Sequence, residues 1–178
     1  LEQARGLIPA DPLDPATVFG AIINQGHMQK VLDYIESGKE SGAELLCGGR
    51  QINRDSGGYY IEPTIFDQVP SNAKIAQEEI FGPVLSVMTF STEREAIELA
   101  NGTCFGLAAY AATENISRAH RLSQGIKAGA FCIVATSTLG AGIVELGVEG
   151  HAQSGFGMET GFDGLKAYTC TTTTNFFI

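Results

Sequence analysis

Amphipathic helical segments that alternate with short, uniformly apolar runs predict an α/β fold. The expected architecture is an open, mostly parallel sheet with helices on both faces, plus a C-terminal β-strand tail. Two further observations agree. Glycine supplies 22 of 178 residues, above the usual share of roughly 7%, as expected where many tight turns join short elements. The length suits one domain with a real core and is short for two comfortable ones.

Leu1, Ala4, Leu7 and Ile8 have helical spacing with no cap residue before them, so a helix is expected to begin upstream and the chain to be N-terminally truncated. The prolines Pro9, Pro12 and Pro15 make 9–19 a turn-rich connector. Met28, Val31, Leu32 and Ile35 fall at i, i+3, i+4 and i+7, an amphipathic helix that Gly38 or Gly42 ends. Ala43 to Cys47 reads as a short strand stopped by Gly48-Gly49, followed by a polar loop from Arg50 to Gly58. Tyr59 to Val69 is β-rich, and Pro63 confines it to an edge, a bend or two short pieces. The run from Val84 to Phe90 reads as a buried strand. Thr92 and Glu95 have capping-box spacing ahead of a helix that Asn101-Gly102 stops. Leu107 to Ala112 is a strand of small residues. Ile116, Ala119, Leu122 and Ile126 mark a helix closed by Gly125 or Gly129, and Ala130 to Thr136 is an apolar strand. A glycine-rich loop (137–157), a helix near 159–168 and a β-branched, aromatic tail over 170–178 complete the chain.

A formal net charge of -9 with scattered basic residues argues against a nucleic-acid partner, whose phosphates would be repelled. No apolar run approaches the ~20 residues that span a bilayer, so no membrane partner is expected. Cys47, Cys104, Cys132 and Cys170 form no CxxC pair and have no His at ligand spacing. Neither zinc nor a disulfide framework is expected, and reduced thiols point to a cytoplasmic protein. His27, His120 and His151 are isolated, which argues against a metal or catalytic role.

The stretch Glu78-Glu79-Ile80-Phe81-Gly82-Pro83 is the strongest candidate site. A carboxylate ahead of a tight turn can accept hydrogen bonds from vicinal hydroxyls such as those of a ribose. An aromatic beside it can pack on sugar or base, while Gly permits close approach and Pro sets the turn. The competing reading is a solvated acidic pair with Phe81 filling the core. Gly140-Ala141-Gly142-Ile143-Val144-Glu145 looks superficially like a dinucleotide fingerprint. It fails because Glu145 stands at the third glycine position and no clear helix follows, so a loop is expected.

Glu-Glu-Ile-Phe-Gly-Pro-Val (78–84) resembles a signature of the aldehyde dehydrogenases. The likeness continues in order through Asp11-Pro12-Leu13-Asp14-Pro15, Gly48-Gly49, Glu62-Pro63-Thr64, Ala100-Asn101, Phe105-Gly106-Leu107-Ala108-Ala109, Arg118-Ala119 and Ala128-Gly129. It resumes in Ser154-Gly155-Phe156-Gly157-Met158-Glu159-Thr160-Gly161 and Gly164-Leu165-Lys166-Ala167-Tyr168-Thr169. The resemblance implies a Rossmann-like sheet, and that residues 1–169 are the C-terminal portion of a catalytic domain. It implies oxidation of an aldehyde to a carboxylic acid with NAD or NADP, Glu79 and Phe81 touching the nicotinamide-side ribose. It assigns no catalytic residue to this chain: the nucleophilic cysteine, the glutamate base and the cofactor domain lie before Leu1, so the chain alone is expected to be inactive. It also implies that 170–178 joins a sheet in a homo-oligomer, where an exposed strand would otherwise invite aggregation.

Departures from the family cluster near the implied aldehyde tunnel, around 137–148. Val134 stands where Asn is usual. Pro-Phe-Gly-Gly-x-Lys-x-Ser-Gly appears as Gly147-Val148-Glu149-Gly150-His151-Ala152-Gln153-Ser154-Gly155, so Glu149 replaces a glycine and Ala152 the lysine. Met158 stands where Arg is common. These changes leave a second expectation open, a non-catalytic homologue with a structural or assembly role.

Overall fold

The computed structural model describes residues 1–134 and 146–177. The Gly140–Glu145 run and the last two residues of the strand expected to end at Thr136 lie outside the described residues. Contacts divide the chain into two compact units, Leu1–Ser91 and Thr92–Ile178.

The first unit opens with a short helix, α1 (Glu2–Gly6), and the proline-rich connector. Helix α2 (Gln25–Glu40) follows, capped by the Asn24 side chain, which accepts from the His27 amide. Gly42, at φ +84, lies just past its end, where the left-handed conformation suits glycine. Strands β1 (Glu44–Cys47), β2 (Gln51–Ile52), β3 (Tyr60–Ile61) and β4 (Thr64–Asp67) come next, then helix α3 (Lys74–Gln77) and strand β5 (Val84–Ser86). Pro63 splits the β-rich segment in two, as its missing donor requires. β1, β4 and β5 form one sheet in that order, β1–β4 antiparallel and β4–β5 parallel. Val31, Ile35, Ile61 and Phe66 are at most 1% exposed and form the centre of the core, with Met28, Tyr34, Ile75 and Ile80 around them. Gly38, inside α2, lets Phe66 approach: a Cβ there would lie 2.8 Å from the ring.

The second unit contains α4 (Glu93–Ala100), β6 (Phe105–Gly106), β7 (Ala108–Ala112), α5 (Ile116–Gly125) and β8 (Ala130–Val134). Beyond these lie β9 (Val148–Glu149), β10 (His151–Ala152), β11 (Met158–Glu159) and α6 (Gly161–Lys166). β7 and β8 pair in parallel over five residues each. Thr92 caps α4 and Asn115 caps α5 through their side chains. The Asn101 amide joins the ends of both helices, its Nδ2 donating to the Gly125 carbonyl and its Oδ1 accepting from the Lys127 amide, each at 2.8 Å.

At the start of α4, Glu93 accepts from Arg121 at 2.6 and 2.8 Å and from Arg118 at 3.4 Å. The bond from Arg121 is the main cause that holds the Glu93 carboxyl below its ordinary range. A lowered folded-state value means stabilisation that is present above the ordinary glutamate range and lost as pH falls through the lowered value. Thermal midpoints should therefore drop on acidification below that range, and Glu93→Gln should flatten that part of the profile. An unchanged acid slope in the variant would refute the assignment.

One expectation is met only in part and two need correction. The fold is mixed α/β, and the described strands form one three-stranded and four two-stranded sheets. Four of the six strand pairs are antiparallel, because pairs such as β9–β11 and β2–β3 form between nearby segments without a crossover. The Val84–Phe90 run is a strand only over Val84–Ser86 and lies at the edge of its sheet, with Leu85 exposed. The tail is no strand over 170–177, and Phe176 and Phe177 are exposed; β propensity becomes a strand only where a ladder partner takes the backbone groups.

Candidate functional site

The Glu78–Pro83 loop leaves α3 and returns to β5, and its residues divide sharply by environment. Ile80 is buried in the core, while Phe81 is 72% exposed. The competing reading that put Phe81 in the core is thus wrong; the core residue of this loop is Ile80. Phe81 sits at φ +53, in the left-handed region that a residue with a bulky side chain rarely adopts. Such a conformation costs on the order of 1–2 kcal/mol and persists only where its surroundings hold it.

The holding groups come from α2. His27 Nε2 lies 2.6 Å from the Phe81 carbonyl oxygen; a carbonyl can only accept, so this ring nitrogen carries the proton. Gly82 packs on Val31, whose methyl carbons lie 2.6 and 2.8 Å from where a Cβ would stand. The Tyr34 hydroxyl donates to Glu78 Oε2 at 2.8 Å. On the other side, the Thr64 amide donates to the Pro83 carbonyl at 2.8 Å, tying the loop to β4.

The two acids therefore differ. Glu78 serves the fold: its bond to Tyr34, reinforced by burial and the carboxylate's charge, holds the Tyr34 hydroxyl above its ordinary value. That stabilisation is present below the ordinary tyrosine range and is lost as pH rises through the raised value. Lys74 and Lys30 lie over the Tyr34 ring at 4.7 and 5.6 Å. Glu79 is exposed and has no hydrogen bond or ion pair among the described residues. A solvated carboxylate beside an exposed phenyl ring, both on a firmly held backbone, can accept from a pair of hydroxyls and cover an apolar ring face.

In the second unit, Glu149 and Met158 are cross-strand partners between β9 and β11. Ala152 lies on β10 opposite Phe105, at φ +54, and Val134 ends β8 half-buried. The structure thus brings Glu149 and Met158 together, while Ala152 faces a different strand. All four cysteines are free; Cys104 and Cys170 are exposed, and Cys47 and Cys132 are half-buried. Among the described residues no cluster of three or more His, Cys, Asp or Glu could hold a metal, and no helix is long and apolar enough to cross a membrane.

Sequence reasoning set His27 aside as isolated and did not single out Tyr34. His27, Val31 and Tyr34 follow i, i+4, i+7 spacing, one position off the apolar stripe of Met28, Leu32 and Ile35. A polar residue at each end of such a stripe was the available signal.

The aldehyde dehydrogenase family model matches residues 1–174. A betaine aldehyde dehydrogenase of Brucella anthropi is 46% identical over 171 residues, covering 95% of this chain and 34% of the relative. The crystal structure of an indole-3-acetaldehyde dehydrogenase complexed with NAD+ is 44% identical, with a TM-score of 0.88 over 94% of this chain and 33% of that one. An aldehyde dehydrogenase of Pseudomonas aeruginosa is 41% identical, again with a TM-score of 0.88, over 94% of this chain and 33% of that one. The chain spans about a third of the length of these relatives. With a family match that begins at Leu1 and takes in the Glu78–Pro83 loop, the paired strands of the second unit and α6, the chain belongs to the aldehyde dehydrogenase family.

Proposed function

We propose that this chain is the C-terminal, catalytic-domain portion of an NAD(P)-dependent aldehyde dehydrogenase that oxidises an aldehyde to a carboxylic acid. The observation that carries the reading is the pairing of an unengaged Glu79 carboxylate with an exposed Phe81 on a backbone held in a costly conformation. Their chemistry fits a ribose, which Glu79 would hold by its hydroxyls and Phe81 would flank. NAD(P) bound there would supply the hydride acceptor. Relatives in complex with NAD+ and relatives named for aldehydes support the assignment.

On this reading residues 1–169 belong to the catalytic domain and contribute no nucleophile, while the cysteine, the glutamate base and the dinucleotide-binding domain are upstream of Leu1. The parallel pair β7–β8 would be part of a Rossmann-like open sheet. Parallel strands are ordinarily covered on both faces, and Tyr110 on β7 is 62% exposed here, which supports a covering segment. Residues 170–178, with exposed phenyl rings, would pair as a strand in a homo-oligomer. The purified 178-residue chain is expected to give no NAD(P)H with a simple aldehyde, whereas the full-length protein should give it and form a thiohemiacetal. Turnover by the chain alone would overturn the proposal.

A second reading, a non-catalytic homologue with an assembly role, draws on Glu149 and Ala152 standing where the family carries a glycine and a lysine. A full-length protein with no upstream cysteine and no covalent adduct would favour it.

A further inference from the structure

We propose that His27, with Tyr34, is a positioning residue for cofactor binding: helix α2 holds the Glu78–Pro83 loop in the conformation that presents Glu79 and Phe81. This rests on the ribose-binding reading of those two residues.

His27, Val31 and Tyr34 form one stripe of the helix, and each meets a different residue of the loop. Phe81 is held through its carbonyl by the His27 ring, Gly82 by contact with Val31, and Glu78 through its carboxylate by the Tyr34 hydroxyl. Glu79 lies between the held points and is engaged by none of them. The stripe therefore fixes the backbone on both sides of the residue that would bind and leaves its carboxylate free.

The decisive contact is at Phe81. At φ +53 the chain sits where an L-residue is disfavoured. Without the bond at its carbonyl, the local preference is a return to negative φ, which would reorient the ring and the carboxylate two residues before it. His27 is itself fixed, because its backbone amide is the one that the Asn24 side chain caps at 2.8 Å. Rigidity thus runs from the helix cap through the imidazole to the Phe81 carbonyl. An apolar residue at 27 could fill the same half-buried space and would supply no donor.

The test uses the full-length protein and NADH or NADPH, whichever the wild type binds, titrated by fluorescence. It adds KM values for cofactor and aldehyde. His27→Ala is expected to weaken cofactor binding about five- to tenfold, the effect of one lost hydrogen bond plus a loosened loop. KM for the aldehyde should stay within about twofold, since the role proposed for this loop is in cofactor binding alone. His27→Gln, which returns a donor, should recover most of the affinity, and Tyr34→Phe should show a smaller loss. If Glu79→Ala weakens binding while His27→Ala binds like wild type, the positioning role is overturned and the ribose reading stands. If Glu79→Ala changes nothing, the ribose reading falls and the positioning role with it. Equal losses for cofactor and aldehyde, unrescued by Gln, would mark a merely structural residue and overturn the proposal. Should His27→Ala fail to fold, His27→Gln decides: near-wild-type affinity supports the role, and affinity as poor as that of Glu79→Ala refutes it.

Discussion

Glu79→Ala in the full-length protein should weaken NAD(P) binding about 10- to 100-fold, the value of one or two hydrogen bonds to a charged acceptor. The same substitution should leave the thermal midpoint nearly unchanged. Glu79 is exposed and engages no described residue, and surface replacements of that kind fall within about ±0.5 kcal/mol. Glu79→Gln should lie between wild type and Ala, since an amide oxygen accepts without carrying charge. The adjacent acid supplies the control. Glu78→Gln weakens the bond from the 5%-exposed Tyr34, so its loss should appear mainly in stability. Two neighbouring glutamates with opposite signatures, one in affinity and one in melting, would separate binding from folding within a single turn. Equal affinities for wild type and Glu79→Ala would remove this residue from the cofactor site.

That separation was only half legible in the sequence. Periodicity marked α2, α4 and α5, and the cap of α4 at Thr92 could be read because its side chain acts within three residues. Local rules work where the partners are local. Gly48-Gly49 and Glu62-Pro63-Thr64 each stood out, but nothing in the spacing said that they touch. The short strands β6 and β10 escaped for the same reason: Phe105-Gly106 pairs with His151-Ala152, some 45 residues away, and two residues carry no readable alternation. The site loop shows the limit most clearly. Its acid and aromatic could be named from their chemistry. Which acid was free depended on Tyr34, a residue on another element, and Phe81 and Gly82, in a stretch whose φ at Phe81 propensity disfavours, are met by His27 and Val31 of that same element.

Gly48→Ala should be the most damaging small substitution in the first unit, lowering stability by roughly 2–5 kcal/mol. Two costs add. At φ +75 an alanine is strained whatever the space around it. Its Cβ would also lie 2.2 Å from the Pro63 carbonyl oxygen and 2.7 Å from Thr64 Oγ1. The first of these is backbone and cannot rotate away. The second belongs to a buried hydroxyl that is held from both sides: Thr64 Oγ1 donates to the Glu62 carbonyl and accepts from the Gly49 amide, both at 2.9 Å. Moving Thr64 would disturb that pair and also the bond from its own amide to the Pro83 carbonyl, so the damage should reach the Glu78–Pro83 loop. Thermal unfolding of the full-length protein should show a midpoint lower by about 2–5 °C, and amide exchange should quicken at Gly49 and Thr64 together. Gly57→Ala is the matched control, at φ +77 with nothing within 4 Å of its Cβ; it should cost only the backbone term. If the two variants melt alike, the close approach of Gly48 to Pro63 contributes nothing to stability, and the Gly48–Thr64 contact is not what holds β4 beneath the site.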